Sequence, residues 1–305
     1  MHKCRTFAFL FAALLFAISA QAQTKTVAER LGYPADTKLI IIHADDLAVA
    51  HSEDSASFEA LDKKAVTSGS IMVPCPWLTE VAQYVKSHPD ADLGLHLTVT
   101  SEWKTYRWGP IAPRDKVSSL LGPDGTFWSD TPLVVQHGKP EEVEREIRAQ
   151  VDHAIAVGIH PTHLDGHMGA VFSSPQFFAV YAKVAHDYHL PFFAYKLFIA
   201  DPSVLSPKDV VVDNVIMATP TVQPDQWDHF YLDALKNLKP GLTYMIVHLG
   251  HDDAELQAVT TGHPDYGSAW RQRDFDFVTS PEFQKALQEN HIVPIRWKDL
   301  QKLVE

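Results

Sequence analysis

The sequence predicts an α/β fold, a single domain in which a mostly parallel sheet closes into a barrel. Three observations carry this. Strand-like and helix-like segments alternate from Lys38 onward, the order that parallel βα units produce. Seven or eight segments qualify as strands, which favours a barrel over an open sheet. The first of them, Leu39-Ile40-Ile41-Ile42, is aliphatic throughout and mostly β-branched, as a strand buried on both faces requires. No Gly-rich phosphate loop follows any strand, which argues against nucleotide-binding folds.

Ahead of the domain, His2, Lys3 and Arg5 precede an apolar run from Phe7 to Ile18, and Ala20-Gln21-Ala22 offers small residues for cleavage before Gln23. This reads as a secretory signal peptide over residues 1–22, because the run is too short to span a bilayer. The expected destination is the periplasm or the exterior, and no second stretch suits a membrane span. Cys4 leaves with the signal, so Cys75 has no intramolecular partner and is expected to be buried and inert. Losing Lys3 and Arg5 moves the formal charge from −12 to −14, with 24 basic residues against 38 acidic ones. Such a balance excludes a phosphate-tracking surface and therefore nucleic acid. Oligomeric state is left open.

In order along the chain, residues 23–37 are a polar N-terminal arm, and the domain proper runs over 38–305. The opening strand delivers His43, Asp45 and Asp46. Ser52–Lys64 is a helix candidate, Ser70–Val73 a strand, and Leu78–Ser87 an amphipathic helix with Val81, Ala82 and Val85 on its inner side. A strand follows at Leu93–Thr98. The stretch 101–136 has little periodicity but holds Trp103, Tyr106, Trp108 and Trp128. So long an aromatic loop either stacks sugar rings or packs on its own domain. Glu141–Val157 is a helix with Val143, Ile147, Val151 and Ile155 as its stripe, closed by Gly158. Then come helix candidates at 176–186, 226–238 and 280–289, and strand candidates at 192–195, 210–217, 242–248 and 291–295.

Four strand ends carry His or Asp: Asp45/Asp46, His96, the run His163 to His167, and His248. In a barrel the C-terminal strand ends converge on one mouth, so these residues can meet there. Neighbouring strand residues face opposite ways, so Asp45 and Asp46 should see different surroundings, one holding a metal and the other handling a proton. Mixed Asp and His donors suit one divalent ion, Zn²⁺ or Mg²⁺ first, with Mn²⁺ and Co²⁺ as alternatives. His43, His51, His88 and His160 are taken as structural or surface residues.

Three of these stretches, His43-Ala44-Asp45-Asp46-Leu47, Gly94-Leu95-His96-Leu97-Thr98 and Pro161-Thr162-His163-Leu164-Asp165-Gly166-His167, resemble in order and spacing the YdjC/ChbG-type carbohydrate deacetylases. The resemblance implies a distorted (β/α) barrel and removal of an N-acetyl group from an amino sugar or chitooligosaccharide-like glycan at one divalent metal. It implies Asp46, His96 and His167 as metal ligands, Asp45 as general base and His248 as acid. His163 is a reserve acid, and Asp165 either orients a ligand imidazole or is a turn residue before Gly166. Arg271 either orients Asp45 or a substrate hydroxyl, and Asp252 either contacts the sugar or is a solvated loop charge. Leu47-Ala48, Met168-Gly169-Ala170 and Leu249-Gly250-His251 depart from the family's usual residues at the mouth, where a sugar would bind. The competing readings are a glycoside hydrolase, which needs carboxylates flanking the sugar, and a non-catalytic periplasmic glycan-binding protein.

Overall fold

The computed structural model describes residues 25–304, so the signal-peptide segment lies outside the described residues. Seven strands form one parallel sheet: β1 (Lys38–Leu47), β2 (Ser68–Ile71), β3 (Leu93–Leu97), β4 (Leu164–Gly166), β5 (Asn214–Ile216), β6 (Gly241–His248) and β7 (Ile292–Pro294). Their order is β4-β3-β2-β1-β6-β5. Along one side of β1, β6 pairs from Lys38 to Asp45. The other side is shared, with β7 on Lys38–Ile40 and β2 further up on His43–Leu47.

Among the described residues, the segment 192–195 is the β-bridged link between the two outer edges of this curled sheet. It makes one bridge to β4, Leu164↔Phe192, and one to Val212 just ahead of β5, Tyr195↔Val212. The barrel is therefore distorted rather than evenly closed. The predicted strand at 192–195 forms no ladder, and the one at 210–217 shortens to β5.

The helices are α1 (Val27–Arg30), α2 (His51–Asp62), α3 (Leu78–Ser87), α4 (Thr131–His137), α5 (Pro140–Ala156), α6 (Pro175–Asp187), α7 (Trp227–Lys236), α8 (Ala254–Val259), α9 (Ser268–Val278), α10 (Pro281–Glu289) and α11 (Trp297–Val304). None among the described residues is long and apolar enough to cross a membrane. In α5 the buried face is Val143, Ile147, Val151 and Ala154, whereas Ile155 is exposed. Twelve residues of helix rotate a side chain about 120° off the starting face, and eleven only about 20°.

Two apolar clusters line the two faces of the sheet. Ile40, Ile42 and Ala44 of β1 pack outward beneath the helices. Leu39 and Ile41 pack inward with Leu242 and Tyr244 of β6, Phe193 and Trp297. The arm closes the lower end of this interior. Thr26 caps α1, Ala28 is fully buried, and Arg30 donates to the carbonyls of Lys208, Asp209 and Leu303. Above the apolar layers, the same inward face continues with His43 and Asp45 on β1 and with His248 on β6. Side chains two apart on a strand share a face, so the polar site sits on an apolar floor.

Candidate active site

Asp45 lies on the inward face as alternation requires, but Asp46 does not take the outward place expected of it. Its backbone is left-handed (φ 70°), and the β1–β2 register shifts between Ala44 and Leu47. That irregularity turns the second carboxylate into the same mouth as the first. Non-glycine residues adopt this conformation at a cost, and they concentrate at functional sites. The turn is held by Asp54, whose Oδ1 accepts the Ala48 N–H at 2.6 Å.

Around Asp46 the geometry is symmetrical. Its Oδ1 stands 3.3 Å from His96 Nε2 and 3.2 Å from His167 Nδ1. Each imidazole has its other nitrogen on a carboxylate: His96 Nδ1 on Asp165 Oδ1 at 2.7 Å, and His167 Nε2 on Glu102 Oε2 at 3.0 Å. Metal-binding histidines are commonly backed in this way, which fixes tautomer and ring orientation. Asp46 Oδ1 is buried and makes no hydrogen bond. One carboxylate oxygen and two imidazole nitrogens thus converge on a single point, a donor set that fits one divalent cation.

The electrostatics agree. Burial would raise the Asp46 carboxyl, but Arg271, His167 and His96 hold it well below the usual carboxylate range. Burial opposes a charged His167, yet Glu102 and Asp46 push it up to about 9. The cluster draws positive charge to this point.

Of the remaining residues expected at the site, Asp45 and His248 are in place. Asp45 Oδ2 is 3.7 Å from His96 Nε2 and 3.9 Å from His248 Nε2. Burial raises its carboxyl to about 6. Burial, together with Arg271, lowers His248 to about 3 despite the opposing pull of Asp46. The His248 backbone N–H is anchored on Asp274 at 2.9 Å, and its ring lies against Tyr266. Asp165 is no mere turn residue, since it also accepts from the Tyr244 hydroxyl at 3.0 Å.

Two expectations are corrected, for His163 and Asp252, and a third is sharpened. Arg271 binds Asp46, not Asp45: its guanidinium donates to Asp46 Oδ2 at 2.7 Å and pairs with Glu53 at 3.2 Å. His163 shares the inward face with Asp165 but one layer lower. Its fully buried ring stacks on Trp297 at 4.8 Å, and it does not line the cavity. Asp252 also stays outside the cavity, bound to Gln257 and Ser268. The loop after α8 presents His263, Asp265 and Tyr266 instead.

Sequence reasoning missed Glu102, Tyr244 and the role of His43. His43 Nε2 lies 3.2 Å from Asp45 and 3.0 Å from Asp165, with Ser68 and Ser70 on the same ring. The i, i+2 relation of His43 to Asp45 was the available signal. Glu102, in an irregular loop, gave none. That loop packs largely on its own domain, with Trp103 and Trp108 buried and Glu146 accepting the Ile111 and Ala112 N–H groups. Of its aromatics only Trp103 reaches the cavity. Cys75 is buried, which pushes its thiol up and leaves it inert.

A curled parallel sheet with carboxylate-backed histidines at its C-terminal rim defines a class: barrel-like proteins with a buried Asp/His centre. Within that class the chain belongs to the YdjC-like protein family, whose model matches residues 39–289. It is 33% identical over 282 residues to a carbohydrate deacetylase of Thermus thermophilus, covering 88% of this chain and 96% of that protein. A carbohydrate deacetylase of Thermoanaerobacter pseudethanolicus is 24% identical over 265 residues, covering 84% and 96%. A crystal structure from Enterococcus faecalis V583 superposes with a TM-score of 0.71 at 23% identity, over 87% of this chain and 99% of that one. That likeness bears out the fold.

Proposed function

We propose that the protein is a metal-dependent carbohydrate N-deacetylase, hydrolysing the acetamide of an amino sugar outside the cytoplasm. The observation that carries this is the pair of carboxylate-backed imidazoles aimed, with Asp46, at one point. The deacetylase relatives supply the reaction, and residues 1–22 supply the expectation of export.

Asp46, His96 and His167 would hold the ion, Zn²⁺ or Mg²⁺ first. When bound, it supplies Lewis-acid polarisation of the amide carbonyl and a water of lowered pKa. Asp45 is the base. Its carboxyl is raised to about 6 by burial, so it is ionised at neutral pH and still basic enough to take a proton from water. His43 Nε2 lies 3.2 Å from one of its oxygens and His96 Nε2 lies 3.7 Å from the other. His248 is neutral at this pH because burial lowers it to about 3, so its Nε2, 3.9 Å from Asp45 Oδ2, relays to the departing nitrogen the proton that Asp45 takes up. Arg271 neutralises and orients Asp46, and Glu102 and Asp165 hold the two imidazoles.

Asp45 and Asp46 both stand within 4 Å of one imidazole. They crowd one side of the cavity rather than flank a sugar ring, which speaks against a glycoside hydrolase.

The test is acetate release from N-acetylglucosamine oligomers after chelation and after each divalent ion is restored. Asp45→Asn should keep the ion and lose release. An Asp45→Asn protein with full activity, or a wild type that binds no divalent ion, would overturn the proposal.

A further inference from the structure

The cavity of about 580 Å³ above this centre is divided in its chemistry. Near His248 and Arg271 its lining includes Glu102, His263, Asp265 and Tyr266, groups that can answer sugar hydroxyls. Its lining also holds Phe172, Phe193, Phe198, Val215, Met217 and Ile246, none of which has a hydrogen-bonding side chain. A hydroxyl pressed against this apolar wall would lose water and find no partner. An acetyl group has only one methyl to place there.

The wall runs continuously from the catalytic floor to solvent. Tyr244, bonded to the Asp165 that backs His96, packs against Phe193 at 4.8 Å. Phe193 packs on Phe172 at 5.5 Å, and Phe172 stacks on Phe198 at 6.3 Å. Exposure rises along this path from 4% at Phe193 to 48% at Phe198, next to Leu197 at 74%. Leu197 and Phe198 are the two most exposed large apolar side chains among the described residues.

We propose that the substrate carries an N-acyl chain longer than acetyl, laid along this wall while its sugar occupies the polar half. This rests on the amide-hydrolase reading above and widens its acyl group: N-acetyl sugars are cleaved, and longer N-acyl sugars faster. The reaction is amide hydrolysis. The oxygen of water forms the new bond to the acyl carbon, the C–N bond breaks, and nitrogen takes the proton. The products are a fatty carboxylate and a free amino sugar.

The experiment uses the full chain with divalent ion and compares kcat/KM for N-acetyl-, N-butanoyl- and N-hexanoylglucosamine. Each methylene buried on the wall should raise it about fourfold. Phe198→Ser, at an exposed position, should lower the hexanoyl-to-acetyl ratio, and Val215→Asn should lower it further. Acetate release with a flat or falling ratio would leave the deacetylase standing and overturn the chain. So would a gain only with octyl N-acetylglucosaminide, which would assign the wall to an aglycone. If no acid leaves any sugar, the reaction itself is wrong and this proposal falls with it. Calorimetry gives a readout without turnover: octanoate should bind at least tenfold tighter than acetate, and weaker in Phe198→Ser, and equal binding would overturn the wall's assignment.

Discussion

Replacing Glu102 tests whether the imidazole-backing carboxylates serve a metal or merely a buried polar network. Glu102 Oε2 accepts from His167 Nε2 at 3.0 Å, and this leaves Nδ1 facing Asp46. In Glu102→Gln the charge is lost, and the amide can donate as readily as accept, so the imidazole is no longer held in one tautomer. Loss of such a partner costs about 10- to 100-fold in metal affinity, or roughly 1.4–2.7 kcal/mol. A second effect opposes this. Glu102 is also the largest influence raising His167 to about 9, so at neutral pH the wild type must shed a proton from that ring to take up an ion. The variant pays less of that competition.

The deficit of Glu102→Gln should therefore widen as pH rises from 7 toward 9.5, where the wild-type ring becomes neutral by itself. Competition with a chromophoric chelator on metal-free protein reads both quantities. Affinities within twofold of wild type at pH 9.5 would refute the reasoning and reduce Glu102 to a packing residue.

Arg271→Met should be a stability mutation as well as a functional one, because it leaves Asp46 and Glu53 buried without their cation. Breaking a buried pair this way costs about 3–5 kcal/mol, which at about 2–4 °C per kcal/mol lowers the thermal midpoint by roughly 6–20 °C. The lower end is expected, since burial already raises the Glu53 carboxyl and favours its neutral form. A midpoint that does not move would show that the pair carries no such load. Gly94→Ala places a Cβ 2.5 Å from the His163 ring, which is pinned on Trp297. Overpacking of this kind costs about 1–3 kcal/mol. Adding His163→Ala should return part of it in a double-mutant cycle, and strict additivity would contradict the packing account.

Much was legible in the sequence for a local reason. Periodicity and β-branching mark a strand or a helix wherever burial on one side or both decides the residue type. The βα alternation gave the parallel sheet, and the strand-end positions of Asp45/Asp46, His96, the run His163 to His167 and His248 gave the rim, because parallel strands end at one rim whatever their lengths; the choice of ligands among them came from the family resemblance. The chain could not announce its exceptions. A left-handed residue at Asp46 turns a carboxylate across the sheet, and nothing in Asp-Asp-Leu-Ala distinguishes that from regular alternation. His163 and Asp165 share a face, yet only the depth of the barrel places one on the floor against Trp297 and the other in the centre. Glu102, Asp265 and the apolar wall come from irregular segments that touch the site through tertiary packing alone. Their spacing along the chain carries no period, so only the folded structure decided which of them meet the reacting atoms.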